Sequence, residues 1–200
     1  MKKLVYLISP NKIDHNFFAS LDKVLSSKNV KFFQLRLKNL SQKKLLNFSK
    51  RIVKITAKHK VKLIINDNFI LASKIKVDGC HMGQLDGSFK IARKKLKGKI
   101  LGITCHNSKI LANNAIENKA DYIAFGSFSK SKLKPNAKKA NIKVLKWAKK
   151  NIKKPIVVIG GINNVNYKRL IKAGAKYIAI SSYIWDNPTL KPETAIRKFK

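Results

Sequence analysis

The segment Val61-Lys62-Leu63-Ile64-Ile65-Asn66-Asp67 runs into Asn68-Phe69-Ile70-Leu71-Ala72-Ser73-Lys74-Ile75-Lys76 and then Val77-Asp78-Gly79-Cys80-His81-Met82. Its first and last pieces are short, rich in Val and Ile, and apolar at consecutive positions. Burial on both faces, as in a parallel sheet, produces that pattern. The middle piece, 69–76, is a helix candidate. The same alternation extends in both directions. Strands are expected at 4–9, 30–37, 61–66, 77–82, 100–104, 122–126, 156–160 and 177–182. Helices are expected at 17–27, 42–58, 69–76, 89–96, 110–119, 144–151, 167–173 and 192–199. About eight strand–helix units is the number that closes a barrel, whereas an open doubly wound sheet usually stops at five or six strands. The expected fold is α/β, a single (β/α)8 TIM barrel, with residues 1–200 as one domain.

Composition narrows the function. The chain has 200 residues, 44% hydrophobic and 27% charged, which excludes a disordered or fibrous protein. Its 45 Lys and Arg against 9 Asp and Glu give a formal charge of +36. Only Arg36, Arg51, Arg93, Arg169 and Arg197 among the basic residues are Arg, so the bidentate fork that reads base edges is scarce. The lysines are spread over many helices. In the 42–58 helix, Lys43, Lys50, Lys54 and Lys58 lie mostly opposite Leu45, Phe48, Ile52 and Ile55. Such a surface attracts polyanions weakly and in a salt-dependent way; no specific nucleic-acid partner is expected. Cys80 and Cys105, 25 residues apart, form no disulfide framework or metal motif. The apolar run that begins at Leu4 stops after five residues, at Ser9-Pro10, too short for a secretory core, and no stretch reaches membrane-spanning length. A reduced, cytoplasmic protein without a membrane partner is expected. The residues do not specify an oligomeric state.

In a barrel, the chemistry sits at strand C-terminal ends. Gln34, Arg36 and Lys38 share one face of the second strand end; inside a barrel they make a poor core and a good anion clamp, the competing reading being that Arg36 and Lys38 lie past the strand in solvent. Asp67 and Asp86 follow the third and fourth strands. Converging carboxylates hold Mg²⁺ well, although either Asp alone reads as a helix N-cap. His81, inside an apolar strand, is expected to be a satisfied packing residue. Thr104 and His106 end the fifth strand, placed to touch a substrate or to cap a helix. Gly160-Gly161 and Ser181-Ser182 end the seventh and eighth strands, where barrels commonly bind a phosphate through bare backbone N–H groups.

Seven pieces, in order, resemble the thiamine phosphate synthase family: Gln34-Leu35-Arg36-x-Lys38, Asn66-Asp67, Gly79-x-His81-x-Gly83-Gln84-x-Asp86, Gly102-Ile103-Thr104-x-His106, Asp121-Tyr122-Ile123-x-Phe125-Gly126, Ile159-Gly160-Gly161-Ile162 and Ser181-Ser182. The resemblance implies two small-molecule substrates, a hydroxymethylpyrimidine diphosphate and a thiazole phosphate, joined with release of diphosphate. It implies that Gln34, Arg36 and Lys38, with Asn66 beside them, hold the diphosphate. Asp67 and Asp86 would hold Mg²⁺, and Thr104 would contact the pyrimidine. Gly160, Gly161, Ser181 and Ser182 would cradle the thiazole phosphate, with Ser131 and Lys134 from the loop after the sixth strand. The chain departs from the family pattern at Leu37, where the family usually has Glu, and at Leu133, which replaces a hydroxyl residue. These departures keep two alternatives in view: a thiazole tautomerase-like or divergent relative without coupling activity, and a basic polyanion-binding barrel.

Overall fold

The computed structural model describes residues 3–37, 40–129 and 139–200. Its strands are β1 (Val5–Ile8), β2 (Val30–Leu35), β3 (Lys62–Asn66), β4 (Gly79–Met82), β5 (Ile100–His106), β6 (Tyr122–Gly126), β7 (Ile156–Ile159) and β8 (Tyr177–Ile180). Each pairs in parallel with the next, and β1 pairs with β8, so the sheet closes into an eight-stranded barrel. Between the strands run α1 (Phe17–Leu25), α2 (Gln42–Lys58), α3 (Phe69–Lys74), α4 (Phe89–Leu96), α5 (Lys109–Glu117), α6 (Ile142–Asn151) and α7 (Tyr167–Lys172). After β8 come α8 (Ser182–Trp185), α9 (Pro192–Ala195) and a 3₁₀ turn, Ile196–Lys198. Among the described residues no helix is long and apolar enough to cross a membrane.

The consecutive apolar positions divide between two cores. Val5 and Leu7, Phe33 and Leu35, and Leu63 and Ile65 face the helices. The alternate residues Tyr6, Ile8, Phe32, Ile64, Tyr122, Ala124, Val157 and Ala179 fill the barrel interior. Phe32 anchors that interior, with its ring centroid 5.2 Å from Tyr6, 5.8 Å from Tyr122 and 5.2 Å from Tyr177. Gly102 makes room for this packing, because a Cβ there would overlap Cζ and Oη of Tyr122.

Two strands, β2 and β8, stop two residues earlier than the sequence pattern suggests. β2 ends at Leu35 because the main chain of Arg36 turns to a side-chain partner. Its N–H donates to Ser9 Oγ at 3.0 Å, and Ser9 Oγ donates to its carbonyl at 3.1 Å. β8 ends at Ile180, so Ser182 opens a helix instead of closing a strand: the N–H groups of Ile184 and Trp185 both reach the Ser181 carbonyl. This short helix is absent from the sequence expectation. It brings the Trp185 indole N–H within 2.6 Å of the Ile8 carbonyl and so fastens β8 to β1. Ser181 Oγ adds a bond to the Ser9 carbonyl at 3.0 Å. Farther down the seam, the buried Asn29 amide donates to the carbonyls of Ile196 and Phe199 at 3.1 and 2.8 Å.

Candidate active site

The C-terminal ends of β2, β3 and β4 bring together the first group of expected residues. Gln34 is buried inside the barrel and Arg36 is half-buried beyond it. In register, Gln34 lies beside Ile64, and Asn66, one residue pair farther up, lies beside His81. Asp67 then turns the chain out of β3 with φ of 63° and donates its N–H to the His81 carbonyl at 2.7 Å; Asp is among the few residues that tolerate this left-handed region. Neither Asp67 nor Asp86 caps a helix. Asn68 caps α3 by accepting from Leu71 N–H, and Ser88 caps α4 by accepting from Ile91 N–H. Asp86 instead accepts the Gly83 N–H at 2.6 Å. Likewise Ser108 caps α5, so Thr104 and His106 do not.

Other acids are spent elsewhere. Asp78 and Asp121, just before β4 and β6, clasp the neighbouring strand starts through Leu63 N–H and Leu101 N–H, and pair with Lys62 and Arg93. Asp67 and Asp86 sit at the opposite, C-terminal end. They flank a cleft of about 280 Å³ lined also by Asn68, Phe69 and Ile70. Burial, then Asp67 and Asp86, all push the Cys80 thiol up, so both carboxylates act on one side chain. Two carboxylates from adjacent strand ends fit Mg²⁺, which takes one or two and fills its shell with waters and phosphate oxygens. Among the described residues there is no group of three or more His, Cys, Asp or Glu that would form an all-protein metal cage.

Beneath the mouth lies a polar line that the sequence did not disclose. Gln34 Nε2 donates to Tyr6 Oη at 3.2 Å, and Tyr6 Oη is 2.7 Å from Tyr122 Oη. Tyr122 Oη is 2.9 Å from His81 Nδ1, and His81 Nε2 is 2.8 Å from Thr104 Oγ1. The imidazole stacks on the Tyr122 ring at 9°. His81 is therefore satisfied, as expected, but its partners tie it to the mouth. Burial lowers its pKa to about 4; nearby Asp86 opposes that shift and Arg36 adds to it. Burial raises the phenols of Tyr6 and Tyr122, so both remain protonated. Gln84 crosses from the loop after β4 to donate to the Thr104 carbonyl at 2.5 Å. Tyr6 and Tyr122 lie in apolar strands and carry no role in the sequence expectation; the signal that could have found them is the single polar atom that a buried Tyr must satisfy.

The other side of the mouth is made by β6, β7 and β8. Gly160 and Gly161 adopt φ of 100° and 61°, and a Cβ on Gly160 would strike Ser127 Oγ. Ser129 N–H donates to the Gly160 carbonyl at 3.1 Å, and Asn166 Nδ2 to the Gly161 carbonyl at 2.8 Å. The feet of the loop after β6 are joined by Ala140 N–H to the Ser127 carbonyl at 2.7 Å. Ser181 precedes α8, but its hydroxyl is engaged with Ser9 and makes no cap bond. The first amides of any helix lack intrahelical acceptors; here they belong to the segment beginning at Ser182. Lys38, Ser131 and Lys134 lie outside the described residues.

Comparison with known proteins places the chain in a family. The family model described as thiamine monophosphate synthase matches residues 5–184. A thiamine-phosphate synthase of Pelagibacter ubique (strain HTCC1062) is 54% identical over 200 residues, covering 100% of this chain and 97% of the relative. One from Erythrobacter litoralis (strain HTCC2594) is 39% identical, covering 90% and 87%. Among solved structures, a thiamine phosphate pyrophosphorylase from Pyrococcus furiosus superposes with a TM-score of 0.86 at 23% identity, covering 98% of this chain and 93% of its own, which speaks to the fold. A family match along nearly the whole barrel, with close full-length relatives, places this chain in the thiamine monophosphate synthase family.

Proposed function

We propose that the protein condenses 4-amino-2-methyl-5-hydroxymethylpyrimidine diphosphate with a 4-methyl-5-(2-phosphoethyl)thiazole substrate, giving thiamine phosphate and diphosphate. The observation that carries this reading is the end-to-end likeness to a thiamine-phosphate synthase at 54% identity. The site geometry supports it. Arg36 supplies cationic charge for the diphosphate, with the Gln34 and Asn66 amides at the same end of the barrel, and the sequence motif adds Lys38. Thr104 meets the pyrimidine ring. Gly160, Gly161, Ser181 and Ser182 take the thiazole phosphate across the mouth, and the sequence motif adds Ser131 and Lys134, which lie outside the described residues. Asp67 and Asp86 would hold Mg²⁺, whose charge would offset that of the departing diphosphate.

The reaction breaks the bond between the pyrimidine methylene carbon and the diphosphate oxygen, and the leaving group keeps the electron pair. The methylene carries developing positive charge until the thiazole nitrogen supplies its lone pair to form the new C–N bond. Preorganised cations aimed at the leaving group are what such a step needs, and no side chain must remove a proton. The free, buried thiols of Cys80 and Cys105 suit a reducing, cytoplasmic setting.

The test is a product assay with both precursors, in Mg²⁺ and in excess chelator, on wild type and Asp67→Ala. Thiamine phosphate that forms only with Mg²⁺ and disappears in the variant is expected. No product from wild-type protein, with both precursors shown to bind, would refute the coupling reaction.

A further inference from the structure

The interior line Gln34–Tyr6–Tyr122–His81–Thr104 joins two residues at the mouth through three groups that each have one proton to place. Every member comes from a different strand: β2, β1, β6, β4 and β5. Its direction is therefore a property of the whole barrel. A phenol hydroxyl gives one proton, and a neutral imidazole carries one, on one of its two nitrogens. Gln34 donates to Tyr6, so the Tyr6 proton goes to Tyr122. The Tyr122 proton then goes to His81 Nδ1, which must accept. The imidazole proton is left on Nε2, where it is given to Thr104 Oγ1. Thr104 accepts that proton on one of its two lone pairs, and its own proton is free to point away from the line.

We infer that the orientation of the Gln34 amide selects the Nε2–H tautomer of His81 and thereby leaves the Thr104 proton free to donate toward the bound ring. Tyr6, Tyr122 and His81 act as positioning residues, because they work through Thr104. This rests on the reading that Thr104 meets the pyrimidine. It adds a specificity element to that reading: the hydroxyl keeps its proton for an acceptor such as an unprotonated ring nitrogen. Run in the opposite direction, the same five residues would spend the Thr104 proton on His81 and leave the hydroxyl able only to accept. Burial supports a single neutral tautomer, since His81 is only 8% exposed and both ring nitrogens face hydroxyls.

The tautomer is read directly by ¹⁵N NMR of the imidazole nitrogens in uniformly labelled protein without substrate, with His81 assigned by difference against His81→Gln. Wild-type protein is expected to carry the proton on Nε2. At alkaline pH, Gln34→Glu places an acceptor-only carboxylate at the head of the line, so every proton reverses and the imidazole proton moves to Nδ1. In a Tyr6→Phe background the line is cut, and Gln34→Glu must leave the tautomer unchanged. A wild-type proton on Nδ1 overturns the inference, as does a Gln34→Glu protein that keeps Nε2–H, or one that shifts the proton even without the Tyr6 hydroxyl. The wild-type spectrum alone suffices if a variant fails to fold. No substrate is used, so failure here is separate from failure of the coupling assay.

Discussion

Gly102→Ala tests whether the barrel interior is as tightly specified as the contacts imply. The strand backbone at Gly102 suits alanine, so conformational strain is not the issue. The new methyl would fall among Cζ, Oη and Cε2 of Tyr122. That ring is not free to swing aside. Its hydroxyl is held by Tyr6 at 2.7 Å and His81 at 2.9 Å, and Phe32 and the His81 imidazole pack against it. Overpacking a filled core costs about 1–3 kcal/mol, and each of the two bonds contributes about 1 kcal/mol net. Gly102→Ala should therefore cost about 3–5 kcal/mol, a large share of a typical domain's 5–15 kcal/mol. The assay is urea unfolding of four proteins: wild type, Gly102→Ala, Tyr122→Leu and the double variant. Leucine lacks the atoms that the methyl would strike. In the Tyr122→Leu background the alanine should therefore come within about 1 kcal/mol of neutral, because it also relieves the entropy cost of glycine in a strand. An equal cost in both backgrounds would mean that Gly102 does not make room for Tyr122, and would refute the packing argument.

Three further outcomes follow from the same geometry. His81 is neutral when folded, with its pKa lowered to about 4 by burial. The unfolded chain therefore binds the extra proton first, and stability is complete above roughly pH 6.5 and falls toward pH 4. That loss amounts to roughly 3 kcal/mol, and urea titrations across this window should show it flattened in His81→Gln. Thr104→Val should raise KM for the pyrimidine diphosphate about tenfold, the value of one hydrogen bond. It should leave KM for the thiazole phosphate unchanged, and Thr104→Ser should restore the wild-type value in steady-state kinetics. Gly160→Ala forces a side chain into φ of 100° and against Ser127. It should cost about 1–3 kcal/mol in chemical unfolding and raise KM for the thiazole phosphate while sparing that for the pyrimidine.

Much of the barrel was readable because parallel strands buried on both faces write themselves as unbroken apolar runs. The 122–126 strand and the 42–58 and 89–96 helices coincide with β6, α2 and α4. Boundaries slipped where a tertiary partner ended a strand: Ser9 catches Arg36 and stops β2, and Trp185 reaching Ile8 rewards a helical turn at Ser182. Neither partner is near in sequence. The residues at the mouth were legible from scarcity, since an acid or an Arg stands out among so many lysines. Whether Asp67 and Asp86 were caps was not legible, because the neighbouring Asn68 and Ser88 cap equally well and in fact do so. The interior line was least legible. Its members are spread over five strands, and Tyr6 and Tyr122 are indistinguishable in sequence from ordinary core.

The seam between β1 and β8 has a consequence for synthesis of the chain. Ser9 and Ile8 wait for Ser181 and Trp185, and the buried amide of Asn29 waits for Ile196 and Phe199. These pairs are separated by 172, 177, 167 and 170 residues. A ribosome feeding out the chain from its beginning thus delivers seven strands before the partner that locks the first one exists. Until then β1 carries an unpaired edge, the feature that invites intermolecular pairing, and contacts of such long sequence separation are slow to form. Closure of the barrel must await emergence of β8, residues 177–180, and of the residues 181–199 that fasten it.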